Sequence, residues 1–141
     1  MAKSTQRLSS TVASVPEKFG IMLVRLVVGA VFIMHGYQKW FTNGPSNTVK
    51  AFHEHFQMPP AAAYAAMTAE FACGILLVLG LFTRLAAIPI IVVMAVAILQ
   101  VHLPHGFFAP MGYEYPLTLG IAALGLAFAG PGMVAADNLI A

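Results

Sequence analysis

Four apolar runs, at about 19–41, 60–82, 85–102 and 115–131, constrain this chain more than any other feature. Each is near the ~20 residues that carry a helix across the hydrocarbon core of a bilayer, the last two falling on the short side. Lipid offers no water to satisfy a free backbone N–H or C=O, so helices are the economical way to take all four runs through it. Composition agrees, because 60% of the 141 residues are hydrophobic, only 9% are charged, and mean hydropathy is +0.84. A soluble domain of that size has no core large enough to hide so much apolar surface. The expected architecture is all-α: an integral membrane four-helix bundle in up-down order, with a tail at 1–18 and one transmembrane domain over 19–141.

The connections set the expected orientation. Only a turn around Thr83 and Arg84 separates the second and third runs, whereas TNGPSNTVKAFHEHFQMPP and LPHGFFAPMGYEYP are long and must share one side. Lys3, Arg7, Lys18 and Arg84 then lie opposite Lys50, which by the positive-inside rule places both termini in the cytoplasm and both long loops outside. The polar start lacks the compact uncharged core of a cleaved signal peptide and reads as a cytoplasmic tail before a retained anchor. Prolines punctuate the runs: Pro59 and Pro60 suit the first turn of span two, Pro89 that of span three and Pro116 the start of span four. Glu114, just before that start, suits the positive end of a helix dipole.

Some functions are excluded early. A net charge of +2, with no basic run, gives no footprint for nucleic acid. A single cysteine, Cys73, rules out an internal disulfide and paired-thiol chemistry; it reads as a small packed side chain.

Charges inside the apolar runs are the candidates for function. On a helical wheel Arg25, Gly29, Phe32, Gly36 and Lys39 fall within about 40° of one line, as do Glu70, Gly74, Leu77, Leu81 and Arg84. Each stripe has a glycine one turn after its first charge, where a neighbouring helix can approach closely. A charge near the bilayer centre costs about 2.5–3.5 kcal/mol and faces protein or water. Spans one and two run in opposite directions, which brings Arg25 and Glu70 to similar depth and makes an ion pair between them geometrically reasonable. Such a pair either fixes helix register or lines a polar pocket for a small ligand, a quinone headgroup or a proton.

A second polar group gathers at the outer rim: His35, Lys39 and Trp40 close span one, His53, Glu54 and His55 lie in the first outer loop, His102 and His105 close span three, and Glu114 and Tyr115 open span four. Histidines of this kind ligate zinc, copper or haem iron, or move protons. The spacing has no H-x-x-x-H or C-x-x-C frame, so no metal site is assigned; His35 and His102, at matching depth, are the weak candidates for metal or haem. Interfacial His and aromatic residues also belong simply to the headgroup belt.

Three stretches together resemble the DoxX family of small bacterial membrane proteins. RLVVGAVFIMHGYQKW (25–40) has the pattern R-x3-G-x2-F-x2-H-G-x2-K, AEFACGILLVLGLFTRLAA (69–87) has E-x3-G-x5-G-x2-T-R, and GFFAPMGYEYPL precedes GPGMVAADNL near the C-terminus. Family members usually have serine before leucine and aspartate in the last motif, where this chain has Val134, Ala135 and Ala136 before Asp137. The resemblance implies a four-helix protein of the bacterial inner membrane with Arg25, His35, Lys39, Glu70, Arg84 and Glu114 as its polar positions. It also implies a setting of quinone-linked oxidases and membrane antioxidant assemblies with soluble redox partners.

Two readings follow. In one the chain is a subunit or accessory of a membrane redox complex, with Arg25, Glu70 or the outer histidines receiving a quinone or organising a partner enzyme. In the other it is a non-catalytic scaffold, a homo-oligomer or a partner of other membrane subunits, with Gly29, Gly36, Gly74, Gly80, Gly120 and Gly125 as contact points. A permeation path is weaker, because four spans enclose little lumen. No Gly-rich nucleotide loop is present, so the chain is at most a subunit of an oxidoreductase rather than a catalyst alone.

Overall fold

The computed structural model describes residues 14–141 apart from Ala109. Residues 1–13 of the expected tail, with Lys3 and Arg7, lie outside the described residues.

The first rod, α1 (Val15–Tyr37), begins where Glu17 reaches back to accept the Ser14 amide at 2.8 Å, and it continues through a π-helical turn, Gln38–Thr42. Its buried residues, Arg25, Val28, Gly29, Phe32 and Gly36, follow the stripe expected from the wheel. The first long connection contains a helix of its own, α2 (Pro45–Phe56), set off by Gly44 at φ 80° and stopped by Gln57 at φ 56°. Its Phe52 and Phe56 are half-buried, whereas Lys50, His53, Glu54 and His55 are exposed, as in a helix lying along an interface.

The second rod is α3 (Pro60–Thr68), a π turn (Ala69–Cys73) and α4 (Gly74–Leu79). Pro60 occupies the first helical position, where its missing N–H does least harm. The run ends at Leu79, three residues before the expected limit, because Gly80 at φ 66° and Phe82 at φ 50° turn the chain. The third rod is α5 (Thr83–Ala97), a π turn (Ile98–His102) and a short 3₁₀ turn (Leu103–His105). Pro89, expected in its first turn, is instead inside the helix, since α5 starts at Thr83 rather than at 85. The Asp137 carboxylate explains the early start: it accepts the amides of Phe82 at 2.6 Å and Thr83 at 2.9 Å, capping α5 from another part of the chain. The fourth apolar helix, α6 (Glu114–Ala129), has 16 residues and packs along α5, and α7 (Asp137–Ile140) ends the chain.

Among the described residues, three rods suit a membrane crossing by length and composition, Val15–Thr42, Pro60–Leu79 and Thr83–His105, while Glu114–Ala129 is apolar but shorter. Phe32, Leu77, Ala87, Ile90, Ala123 and Leu126 form their common core, and Cys73 is buried beside it as a free thiol. The close approach of α1 to the second rod depends on glycine. A Cβ on Gly29 would come within 2.9 Å of the Gly74 carbonyl oxygen, and one on Gly36 within 2.6 Å of the Phe71 nitrogen. These contacts fix the axial register: Gly36 is level with Phe71, and Gly29 with Gly74 and Val78.

Candidate functional site

That register decides which charges meet. Lys39, one turn beyond Gly36, lies beside Glu70, and its Nζ donates to Oε2 at 2.5 Å. Arg25 lies one turn on the other side of Gly29, near Leu77 and Val78, so the expected Arg25–Glu70 pair does not form. Glu70 is buried and Lys39 partly so. Both stand on π turns, where the widened helix aims side chains differently from an α-helix. The Lys39 carbonyl accepts the Thr48 hydroxyl at 3.0 Å, which ties α2 to the same turn.

The pair stands in the wall of a cleft of about 670 Å³. Ala62, Ala65, Ala66 and Ala69 line one side, Ile88, Val92 and Val96 of α5 the other, and Phe52, Phe56 and Met58 close the end beneath α2. Lys39 and Glu70 are the only charged groups among its lining residues. An apolar cavity of several hundred Å³ with one or two convergent polar groups is the usual form of a small-molecule site. The pair uses one N–H of Lys39 and one oxygen of Glu70, leaving the ammonium with further donors and the carboxylate with Oε1 as an acceptor.

The other candidates serve elsewhere. Arg25, fully buried, splays its guanidinium between two strands of backbone: Nη1 donates to the carbonyls of Leu77 at 3.1 Å and Val78 at 3.4 Å, Nη2 to those of Met133 at 3.3 Å and Val134 at 2.8 Å. It therefore fastens the segment after α6 to α1 and α4. Asp137 completes this joint. Burial works against its ionised form, but the amide bonds from Thr83 and Phe82 and the nearby Arg25 charge outweigh that and hold its carboxyl below the ordinary range. Arg84 is exposed and caps the end of α6, donating from Nη1 to the carbonyls of Ala127 and Phe128. His35 is exposed with its ring 6.5 Å from that of Tyr115, and His102 donates from Nδ1 to the Met111 carbonyl at 2.8 Å. Glu114 opens α6 and receives the Thr118 hydroxyl on its carbonyl. None of these residues lines the cleft. Among the described residues no group of three or more His, Cys, Asp or Glu is placed to hold a metal ion.

The alanine wall, α2 as a cover and the π turns were not anticipated from sequence. One signal for the wall was present: Ala62, Ala65, Ala66 and Ala69 recur at helical spacing where a lipid-facing stripe would ordinarily carry larger aliphatics.

The comparisons with known proteins agree on kind. Residues 20–103 match the sequence model of the family described as DoxX. An uncharacterized membrane protein of Mycobacterium tuberculosis is 30% identical over 131 residues, covering 84% of this chain and 79% of that protein. A Bacillus subtilis protein named "Putative oxidoreductase CatD" is 28% identical over 123 residues, 87% of this chain and 88% of its own length. An uncharacterized protein of Haemophilus influenzae is 28% identical over 127 residues, 85% and 82% of the two chains. No solved structure matches the chain significantly.

Proposed function

We propose, since the chain belongs to the DoxX family of membrane proteins, that it serves as a subunit or accessory of a membrane redox complex and takes a quinone from the bilayer into the Lys39–Glu70 cleft. The observation that carries this reading is a mutually neutralised ion pair in the wall of an otherwise apolar cleft. A quinone carbonyl accepts a hydrogen bond and a quinol hydroxyl donates one, and Lys39 Nζ with Glu70 Oε1 offers the complement of both. The name of the Bacillus subtilis relative lends this reading its redox element. In this proposal α6 is the fourth crossing, the membrane is the bacterial inner membrane, and both termini are cytoplasmic, with Lys18 and Arg84 at the cytoplasmic end. The scaffold reading has less support, because Gly29, Gly36, Gly74, Gly80 and Gly120 all approach the chain's own helices or turns, leaving only Gly125 of the six with open space around it.

The test is purification of the tagged chain from its native membrane in mild detergent, with extraction and quantification of bound quinone and identification of copurifying redox enzymes. Near-stoichiometric quinone, lost in Glu70→Gln and Lys39→Met, is the expected result. A quinone-free chain without a redox partner would sink the proposal.

A further inference from the structure

The cleft also constrains the part of the ligand remote from its head. Ala62, Ala65, Ala66 and Ala69 form one stripe of α3 and its π turn that runs from beside Glu70 toward α2, about 10 Å at 1.5 Å per residue. Their short side chains leave a trough along the rod. The facing wall is open to the lipid side, with Ile88 51%, Val92 55% and Val96 40% exposed although all three line the cleft. Phe52, Phe56 and Met58 cover the end toward α2, so the open path into the cleft is sideways between the second and third rods.

Charge narrows the occupant further. A phosphate head would gain Lys39 but press against Glu70, buried 2.5 Å from that ammonium, whereas an uncharged head bearing a carbonyl or hydroxyl meets no such repulsion. Resting on the quinone reading above, we infer that the alanine trough is a tail site: the ligand is a neutral-headed lipid with a long hydrocarbon tail, admitted laterally, whose tail lies along Ala62, Ala66 and Ala69. Tail contact therefore contributes affinity beyond what the head earns at Lys39 and Glu70.

The test uses the full chain in nanodiscs of zwitterionic lipid and two probes, a tail-less benzoquinone and the same ring with a ten-carbon tail. Binding is read as quenching of Trp40, the sole tryptophan and the neighbour of Lys39, against quinone mole fraction in the bilayer, so that simple partitioning is removed. Ala66→Leu narrows the trough from one wall. Val96→Phe narrows it from the other at a position open to lipid, so it is tolerated even where the first variant disturbs folding. Each is expected to weaken the tailed probe about tenfold, the equivalent of 1.4 kcal/mol, and to leave the tail-less probe within about twofold. If wild type binds both probes and neither variant separates them, the tail lies elsewhere and the tail site is overturned while the head site stands. Equal weakening of both probes also overturns it, since the variants then act on the head. Quenching by neither probe in wild type overturns the quinone reading and the tail site together. Displacement of the tailed probe by phosphatidylglycerol would make an anionic lipid the occupant and overturn the neutral-head assignment.

Discussion

Arg25 and Lys39 share one charge and one helix stripe, yet their chemistry separates them. Arg25 presents a rigid fork, and the structure gives it carbonyls on two sides to fill that fork. Lysine at the same place has one nitrogen and cannot span Leu77 and Val134 together. Arg25→Lys is expected to cost about 1–3 kcal/mol and to loosen the C-terminal segment, seen as faster amide exchange over Met133–Asp137 with exchange around Phe32 unchanged. Lys39 is a point charge facing one carboxylate. Lys39→Met leaves Glu70 buried and unpaired, for an expected loss of about 3 kcal/mol, while Lys39→Met/Glu70→Leu recovers most of it. Thermal unfolding in detergent of the two singles and the double measures that coupling; additive losses would mean that the pair is not coupled. Both charges were legible in the sequence as candidates, Arg25 inside an apolar run and Lys39 at its outer rim. Their partners were not, because a helical wheel gives the direction of a side chain but not its height along the neighbouring helix. The height is set where Gly36 meets Phe71 and Gly29 meets Gly74.

At the scale of elements, the apolar runs located the rods to within a few residues, and the turn prolines at 59 and 60 fell where the helix begins. What escaped was structure that depends on distant partners. α5 begins at Thr83 because Asp137 supplies the acceptors, and no local pattern encodes that cap. Asp137→Ala is expected to cost about 1 kcal/mol, the usual worth of a helix cap. The pH dependence has a definite sign. The folded Asp137 carboxyl ionises below its unfolded value, so its stabilisation is fully present above the ordinary carboxylate range and is lost as pH falls through the lower folded value. A stability profile from neutral to acid pH should therefore be flatter in Asp137→Ala than in wild type. The helix α2 escaped for another reason: its apolar residues Phe52 and Phe56 cover a cleft, and the run between two spans looked like a loop with histidines.

The whole molecule has two unlike ends. Around Arg25 and Asp137, main-chain groups are tied by side chains from distant parts of the chain; around Lys39 and Glu70, an ion pair borders open volume. In the proposed function, fastening one end leaves the other free to hold a ligand, a division suited to a small chain whose core must be mostly helix contact. The proposed orientation has its own test, using the buried Cys73 as the only thiol to remove. In a Cys73→Ala background, Lys50→Cys should react with an impermeant maleimide in intact spheroplasts, and Asn138→Cys only after the membrane is opened. The reverse pattern would invert the topology.

A π turn is a helix with one residue more than its pitch requires. The second rod has one, Ala69–Cys73, between most of its alanine trough and Gly74, which seats it on α1. Removing a single residue there would let an ordinary α-helix form with its two halves facing as they do now, because the wide turn absorbs the extra residue instead of passing it on as a rotation of about 100°. Held to α1 by Gly74, the rod would keep its alanines toward the cleft, and what would change is the turn that carries Glu70. In evolutionary terms a one-codon deletion there would strike the ion pair and spare the trough.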